Sequence, residues 1–133
     1  MKVLESALYA ENLEDTAAFY ENVLGLKKMS EAPGRHVFFR VEGSVLLVFR
    51  PSATITPASA GASLPVPPHG AVGHGHLCFA ASAEEMEDWI TRLSRSGVKI
   101  ESDFEWPQGG RSIYFRDPAG NSIEFAEPRI WGL

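Results

Sequence analysis

Two nine-residue segments of the chain match each other without a gap, and this internal repeat restricts the possible folds more than any other feature. Residues 43–51 read GSVLLVFRP and residues 120–128 read GNSIEFAEP, an offset of 77 with glycine first and proline last in both copies. Glu5 and His76 also occupy equivalent places at the start of the two copies. Such a repeat predicts two copies of one supersecondary unit that pack together.

Each copy has the order strand, helix and further strands. In the first copy, residues 2–10 favour a strand, and Asn12 is suited to cap a helix whose apolar positions recur from Leu13 until Gly25 ends it. Residues 36–50 then hold two apolar runs parted by a compact turn, which predicts a hairpin.

The second copy repeats this order. Residues 76–81 favour a strand, and a capping box beginning at Ser82 opens a helix with apolar residues at helical spacing. A strand is expected from Val98. Residues 110–128 then predict a hairpin, because turn-forming residues 117–121 separate two apolar runs.

The segment between the copies is rich in residues that interrupt regular structure. Residues 51–75 hold five prolines and four glycines, too many for a strand or a helix. So long a loop is expected to be a linker or the cover of an active site. The predicted organisation is a single domain of 133 residues: module 1 (1–51), a Pro/Gly-rich loop (52–75), module 2 (76–128) and a C-terminal tail (129–133).

Composition excludes several classes of protein. With 44% hydrophobic and 22% charged residues the chain fits a globular domain, and a net charge of −5 argues against a nucleic-acid partner. Its one cysteine, Cys78, cannot form an internal disulfide, which favours a reducing compartment. No stretch has the apolar character of a secretion signal or a membrane span. A cytoplasmic protein with no membrane partner is therefore predicted.

One charged residue stands in an unexpected place. Glu124 lies in the middle of the last predicted strand, between Ile123 and Phe125, so it points to the opposite face from these apolar neighbours. Burying an ionised carboxylate is costly unless it meets water, a cation or a hydrogen-bond donor. Glu124 therefore either faces water or binds a metal ion.

The repeat favours the metal ion. Glu5 and His76 begin the first strands of the two copies, while Leu47 and Glu124 end the last strands. Approximate twofold symmetry would bring all four positions to one concave face. Leucine cannot ligate, so Glu5, His76 and Glu124 form a three-ligand set with coordination positions open for substrate, as in catalytic sites. Oxygen and imidazole donors suit manganese, iron, cobalt, nickel or zinc.

Other polar and aromatic residues are candidates for substrate contacts. Arg111 is suited to grip an anionic group by paired hydrogen bonds, and Tyr114 follows it on the same hairpin. His69 lies on the Pro-rich loop, and Trp106 could line an apolar wall. His74 is an alternative to His76 as a ligand. Each of these has an ordinary alternative role in a surface ion pair, an exposed loop or sheet packing.

Several of these segments resemble a known family. Segments around Leu13–Leu26, Gly75–Phe79 and Tyr114–Glu124 look like the vicinal oxygen chelate superfamily, which includes glyoxalase I, extradiol dioxygenases and bleomycin-resistance proteins. The resemblance implies an α+β fold in which two βαβββ modules form a curved mixed sheet with a divalent metal ion held between two modules. It also implies a homodimer and a small-molecule substrate.

The resemblance also implies functional roles. His76 matches the histidine of the second module, Glu124 the terminal glutamate, and Glu5 a position where many members have His or Gln, while Leu47 departs from the glyoxalase I pattern. The implied activity is that of a glyoxalase-like lyase or isomerase in which the metal chelates two adjacent substrate oxygens and Glu5 or Glu124 carries the proton. The alternatives are a dioxygenase, which would use two histidines and one glutamate, and a non-catalytic binding protein of the bleomycin-resistance type.

Overall fold

Two four-stranded mixed sheets, each with its own helix, make up the fold. The computed structural model describes all 133 residues, which divide into unit 1, Met1–His74, and unit 2, Gly75–Leu133. The predicted α+β class with a repeated module is confirmed. No helix is long and apolar enough to cross a membrane.

Unit 1 has the strand order β1-β4-β3-β2. Its elements are β1 (Glu5–Tyr9), α1 (Leu13–Ala18), which continues as one π-helical turn (Phe19–Val23), β2 (Lys27–Ala32), β3 (His36–Val41), β4 (Ser44–Phe49) and α2 (Pro51–Thr54). The Asn12 side chain caps α1 by accepting a hydrogen bond from the Asp15 backbone, as its residue type predicts.

Unit 2 has the equivalent strand order β5-β8-β7-β6. Its elements are β5 (His76–Ala80), α3 (Ala83–Arg95), β6 (Ile100–Glu105), β7 (Arg111–Arg116), β8 (Ser122–Ala126) and a final 3-10 turn (Pro128–Trp131). The predicted capping box at the start of α3 is present, with Ser82 and Glu85 each bonding the other's backbone N–H.

The two sheets also share their registers. β1 pairs in parallel with β4 so that Glu5 faces Val45, and β5 pairs in parallel with β8 so that His76 faces Ser122. Val45 and Ser122 are the residues that the sequence repeat superimposes. Both units also carry a register shift at the same point of the edge strand, before Ser30 in β2 and before Ser102 in β6. The repeat is therefore structural as well as sequential.

Each unit buries apolar side chains between one face of its sheet and its helix. In unit 1 the residues Tyr20 and Phe39 are fully buried, with ring centroids 5.5 Å apart. In unit 2 the residues Met86 and Leu93 of α3 are fully buried, as is Phe115 of β7. Burying one such side chain stabilises the fold by about 1.5–3 kcal/mol. These side chains therefore hold one face of each sheet against its helix and leave the opposite face for other roles.

The sequence-based expectations fail in two places. The Pro-rich segment was expected to lack helix, but α2 forms its first turn, with Pro51 at the start where a missing N–H costs nothing. The helix begun at Leu13 does not continue as an α-helix to Gly25, because its second half widens into the π-helical turn.

Candidate functional site

Glu124 is the most unusual side chain in unit 2. It lies at the centre of β8 directly between Cys78 of β5 and Tyr114 of β7, and it is only 5% exposed. The water-facing alternative for Glu124 is therefore wrong. Its Oε1 atom is buried without a hydrogen-bond partner, and none of the chain's lysine or arginine side chains pairs with it. A buried carboxylate in this state needs a cation or a proton.

The neighbours of Glu124 do not supply that charge. Burial and the Glu124 carboxylate raise the pKa of Tyr114 to about 12. The same two causes raise the pKa of Cys78 to about 12, although the residue as a whole is exposed. Both groups are therefore neutral at neutral pH and bring no positive charge to Glu124.

The Nε2 atom of His76 faces the Glu124 carboxylate. Its Nδ1 lies 3.1 Å from the Ser122 carbonyl oxygen, which can only accept, so Nδ1 carries the hydrogen. A neutral ring in this tautomer directs the lone pair of its Nε2 toward Glu124 Oε2, 3.3 Å away. Two acceptors at that distance repel each other unless a cation or a proton lies between them. A backbone carbonyl that fixes the tautomer in this way is typical of metal-binding histidines.

The spacing of the two donor atoms also suits a shared ion. Ligand atoms at about 2.1 Å from a metal, at angles between octahedral and tetrahedral, lie roughly 3.0–3.4 Å apart. The 3.3 Å between His76 Nε2 and Glu124 Oε2 falls in that range. His76 and Glu124 therefore fit as two ligands of a divalent ion.

The third predicted ligand, Glu5, belongs to unit 1, where it is exposed at the start of β1. Neither unit alone gathers three or more His, Cys, Asp or Glu side chains into a cluster that would hold a metal ion. Leu47 occupies in unit 1 the place that Glu124 has in unit 2, facing Phe38 as Glu124 faces Tyr114. His74 is exposed in the segment that precedes β5.

Aromatic side chains continue from His76 across the same face of unit 2. The rings of His76 and Tyr114 are stacked at 6.2 Å, and Tyr114 is stacked on Phe104 at 5.9 Å. Phe104 in turn contacts Trp106, whose indole N–H donates to Ser112. Tyr114 and Trp106, both predicted substrate contacts, thus share one surface with His76. Phe104 was missed, although its alternation with Ser102 in β6 would have placed it there.

Arg111 lies away from this surface. Its position in β7 alternates with Tyr114, so it points to the other face. Two hydrogen bonds of 2.7 Å join its guanidinium to Asp103, and a third joins it to Glu87 of α3. Arg111 is therefore already paired with two carboxylates of its own unit, which is the surface ion-pair role and not that of a substrate contact on the His76 face.

A hydrogen-bonded turn fixes the backbone next to His76. The Asp117 carboxylate accepts hydrogen bonds from the backbone N–H groups of Ala119 and Asn121 and from the Asn121 side-chain amide. The amide oxygen of Asn121 then accepts from the Gly75 N–H at 2.8 Å, next to His76. Asp117 and Asn121 therefore shape the turn, as predicted, and also fix the start of β5.

His69, a predicted substrate contact, lies within unit 1. Its Nδ1 is 2.9 Å from the Tyr9 hydroxyl, and its ring meets Phe49 edge-on. It therefore closes the end of the Pro-rich loop onto the sheet of its own unit.

Comparison with known proteins identifies the family. Residues 2–125 match the profile of the Glyoxalase/Bleomycin resistance protein/Dioxygenase superfamily. The chain belongs to this superfamily. The resemblance inferred from the sequence is thereby confirmed.

Solved structures of the superfamily fold support the assignment. The chain is 41% identical to lactoylglutathione lyase from Agrobacterium tumefaciens, with a TM-score of 0.93 over 99% of this chain and 97% of that one. An integron cassette protein from V. cholerae is 25% identical, with a TM-score of 0.70 over 96% and 95% of the two chains. A glyoxalase/bleomycin resistance protein/dioxygenase from Nocardioides is 22% identical, with a TM-score of 0.72 over 96% and 83%, and shows the fold alone.

Proposed function

We propose that this superfamily member is a metal-dependent lyase or isomerase of the glyoxalase type that acts on a small oxygenated substrate. The observation that carries the proposal is the buried Glu124 carboxylate with one unpartnered oxygen, beside a histidine whose tautomer is fixed for ligation. His76, Glu124 and Glu5 would hold the ion. When bound, a divalent ion acts as a Lewis acid that polarises two adjacent substrate oxygens.

The protein's own groups would move the proton. The Oε1 atom of Glu124 has no hydrogen-bond partner, so it is the oxygen free to accept a proton from the substrate. Returning that proton to a neighbouring atom restores the carboxylate, and the reaction requires no oxidant. Tyr114 stays neutral and, with Phe104 and Trp106, shields the site from water on one side.

The similarity to lactoylglutathione lyase indicates the first reaction to assay. The expected activity is the formation of lactoylglutathione from glutathione and methylglyoxal, followed by the ultraviolet absorbance of the thioester. Activity should disappear with a chelator and return with one of manganese, iron, cobalt, nickel or zinc. If the protein binds metal but forms no lactoylglutathione, the substrate assignment is wrong and the metal assignment stands.

Metal content tests the ligands directly. His76→Ala and Glu124→Ala should each lower bound metal at least tenfold after reconstitution, since each removes one of three ligands. Glu101→Ala is the matched control, because Glu101 is an exposed carboxylate of the same unit that pairs with Arg116. The ligand set is wrong if all three variants retain the metal, or if His74→Ala loses it and His76→Ala does not.

We also propose a homodimer in the cytoplasm. Val3, Leu4, Trp131 and Leu133 expose large apolar surface at both ends of the chain, which favours contact with another protein surface. The free Cys78 supports a reducing compartment. Light scattering should give twice the mass of 14.6 kDa, and a monomer at all concentrations would refute the dimer.

A further inference from the structure

Unit 1 contains a pocket that the proposed metal centre does not explain. Its volume is about 650 Å³, within the range of small-molecule sites. Arg35, His36, Phe38 and Phe49 line it from the sheet side, and ten further residues between Ala53 and His69 line it from the loop. We call residues 53–69 the pocket loop. None of the predicted metal ligands lines this pocket.

The sheet side of the pocket is a wall of flat rings. His36 stacks on Phe38 with centroids 4.1 Å apart and planes at 10°, and Phe49 meets both rings edge-on. Burial, and secondarily the charge of Arg35, lowers the pKa of His36, so its ring is neutral at neutral pH. Such a wall favours a flat ring packed face or edge against it over a compact polar ligand.

The pocket loop is tied to the unit at its far end. The backbone N–H of His69 donates to the Thr54 carbonyl, and its Nδ1 forms a hydrogen bond with the Tyr9 hydroxyl at 2.9 Å. The His69 ring also packs edge-on against Phe49 at 4.5 Å. The pocket is therefore formed before a ligand arrives, which lowers the entropy lost on binding.

The charge at the pocket is of one sign. No aspartate or glutamate lines it, and Arg35 is the only lining residue that is always charged. The Arg35 Nη1 donates to the Ala53 carbonyl at 2.8 Å, and no carboxylate of the chain pairs with this guanidinium. The Arg35 N–H donates to the Ala32 carbonyl, and the Arg35 carbonyl accepts from the Arg50 N–H, so the backbone at Arg35 is held at both groups. A guanidinium held in this way, with donors to spare, is suited to a carboxylate.

We propose that this pocket binds an aromatic carboxylate, with the ring against Phe38, His36 and Phe49 and the carboxylate on Arg35. The site uses residues of unit 1 alone and needs no metal. It can therefore be tested separately from the proposed lyase activity.

Calorimetry in the presence of a chelator tests the proposal with three probes. 2-Naphthoate carries both features, 2-naphthamide lacks the charge, and adamantane-1-carboxylate lacks the flat ring. The parent protein should bind 2-naphthoate at least tenfold more tightly than either analogue. Equal binding of the three probes, or no binding of 2-naphthoate, would overturn the proposal.

Variants locate the bound probe. Arg35→Gln should weaken 2-naphthoate about tenfold and leave 2-naphthamide unchanged, since it removes only the charged contact. Arg40→Gln is the matched control, because Arg40 is an exposed arginine of β3, the strand that follows Arg35, and does not line the pocket. Tyr9→Phe keeps the ring but removes the bond to His69, and should weaken 2-naphthoate several-fold. A probe that responds equally to the Arg35 and Arg40 variants binds elsewhere, and the assignment is then refuted.

Discussion

Replacing Glu124 by leucine should make the metal-free protein more stable and the metal-loaded protein less stable than the parent. The buried carboxylate oxygen without a partner costs about 1–3 kcal/mol. The lost contact with the half-exposed His76 contributes at most about 1 kcal/mol. Unit 1 already accommodates leucine at the equivalent position, where Leu47 is buried.

The expected gain for Glu124→Leu in chelator is therefore roughly 1–2 kcal/mol in the free energy of unfolding, or about 3–8 °C in melting temperature. With metal at 100 times its dissociation constant, the parent should gain about 2.7 kcal/mol that the variant lacks. The order of stability would then reverse. Urea denaturation with chelator and with metal measures both differences.

The reasoning is refuted if Glu124→Leu is clearly less stable than the parent in chelator, because the carboxylate would then be a structural group. It is also refuted if metal stabilises both proteins equally. Glu101→Leu is the control: it changes an exposed carboxylate of the same sheet and should keep the full stabilisation by metal.

Three further changes test other parts of the structure. Asn121→Ala removes the acceptor of the Gly75 N–H and one donor to the Asp117 carboxylate, so it should lower the free energy of unfolding by about 2–4 kcal/mol. It should also weaken metal binding through His76. Unchanged stability in urea denaturation would contradict the role of this turn. Arg111 lowers the pKa of Asp103, so this carboxylate contributes stability above its ordinary pKa that is lost as pH falls through the lowered value. Arg111→Gln should raise the Asp103 pKa toward its ordinary value in an NMR titration without loss of metal, and loss of metal would place Arg111 in the site after all. Gly110→Ala should lower the free energy of unfolding by more than about 2 kcal/mol, because the new Cβ would lie 3.2 Å from the Ile130 backbone nitrogen at a φ of +96°. Gly61→Ala, at a φ of +80° with open space around it, should lower it by only about 1 kcal/mol. Equal losses would show that crowding at Ile130 is unimportant.

The sequence predicted those parts of the fold that depend on local patterns. The repeat, the caps at Asn12 and Ser82 and the hairpin turn at Asp117 follow from nearby residues, and the structure confirms them. β2 was not singled out, because Lys27–Ala32 reads KKMSEA and lies almost wholly exposed, so it has no apolar alternation to recognise.

The sequence predicted which residues form the candidate site, but not what surrounds them. The repeat selected His76 and Glu124, which the structure brings together. The burial of Glu124 was not visible in its own strand, since Cys78 and Tyr114 reach it from strands far away in sequence. The same limit applied to Arg111, whose carboxylate partner Glu87 lies on α3, in a segment that no local pattern connects to β7.

The composition of the pocket in unit 1 has a consequence for how such proteins diversify. Ten of its fourteen lining residues come from one continuous stretch of the chain, residues 53–69. Exchange of that stretch between homologous genes would replace these ten lining residues in a single recombination event. The aromatic rings of the sheet and Arg35 would remain, so the exchange would change the size and shape of the pocket without changing the groups proposed to hold the ring and the carboxylate.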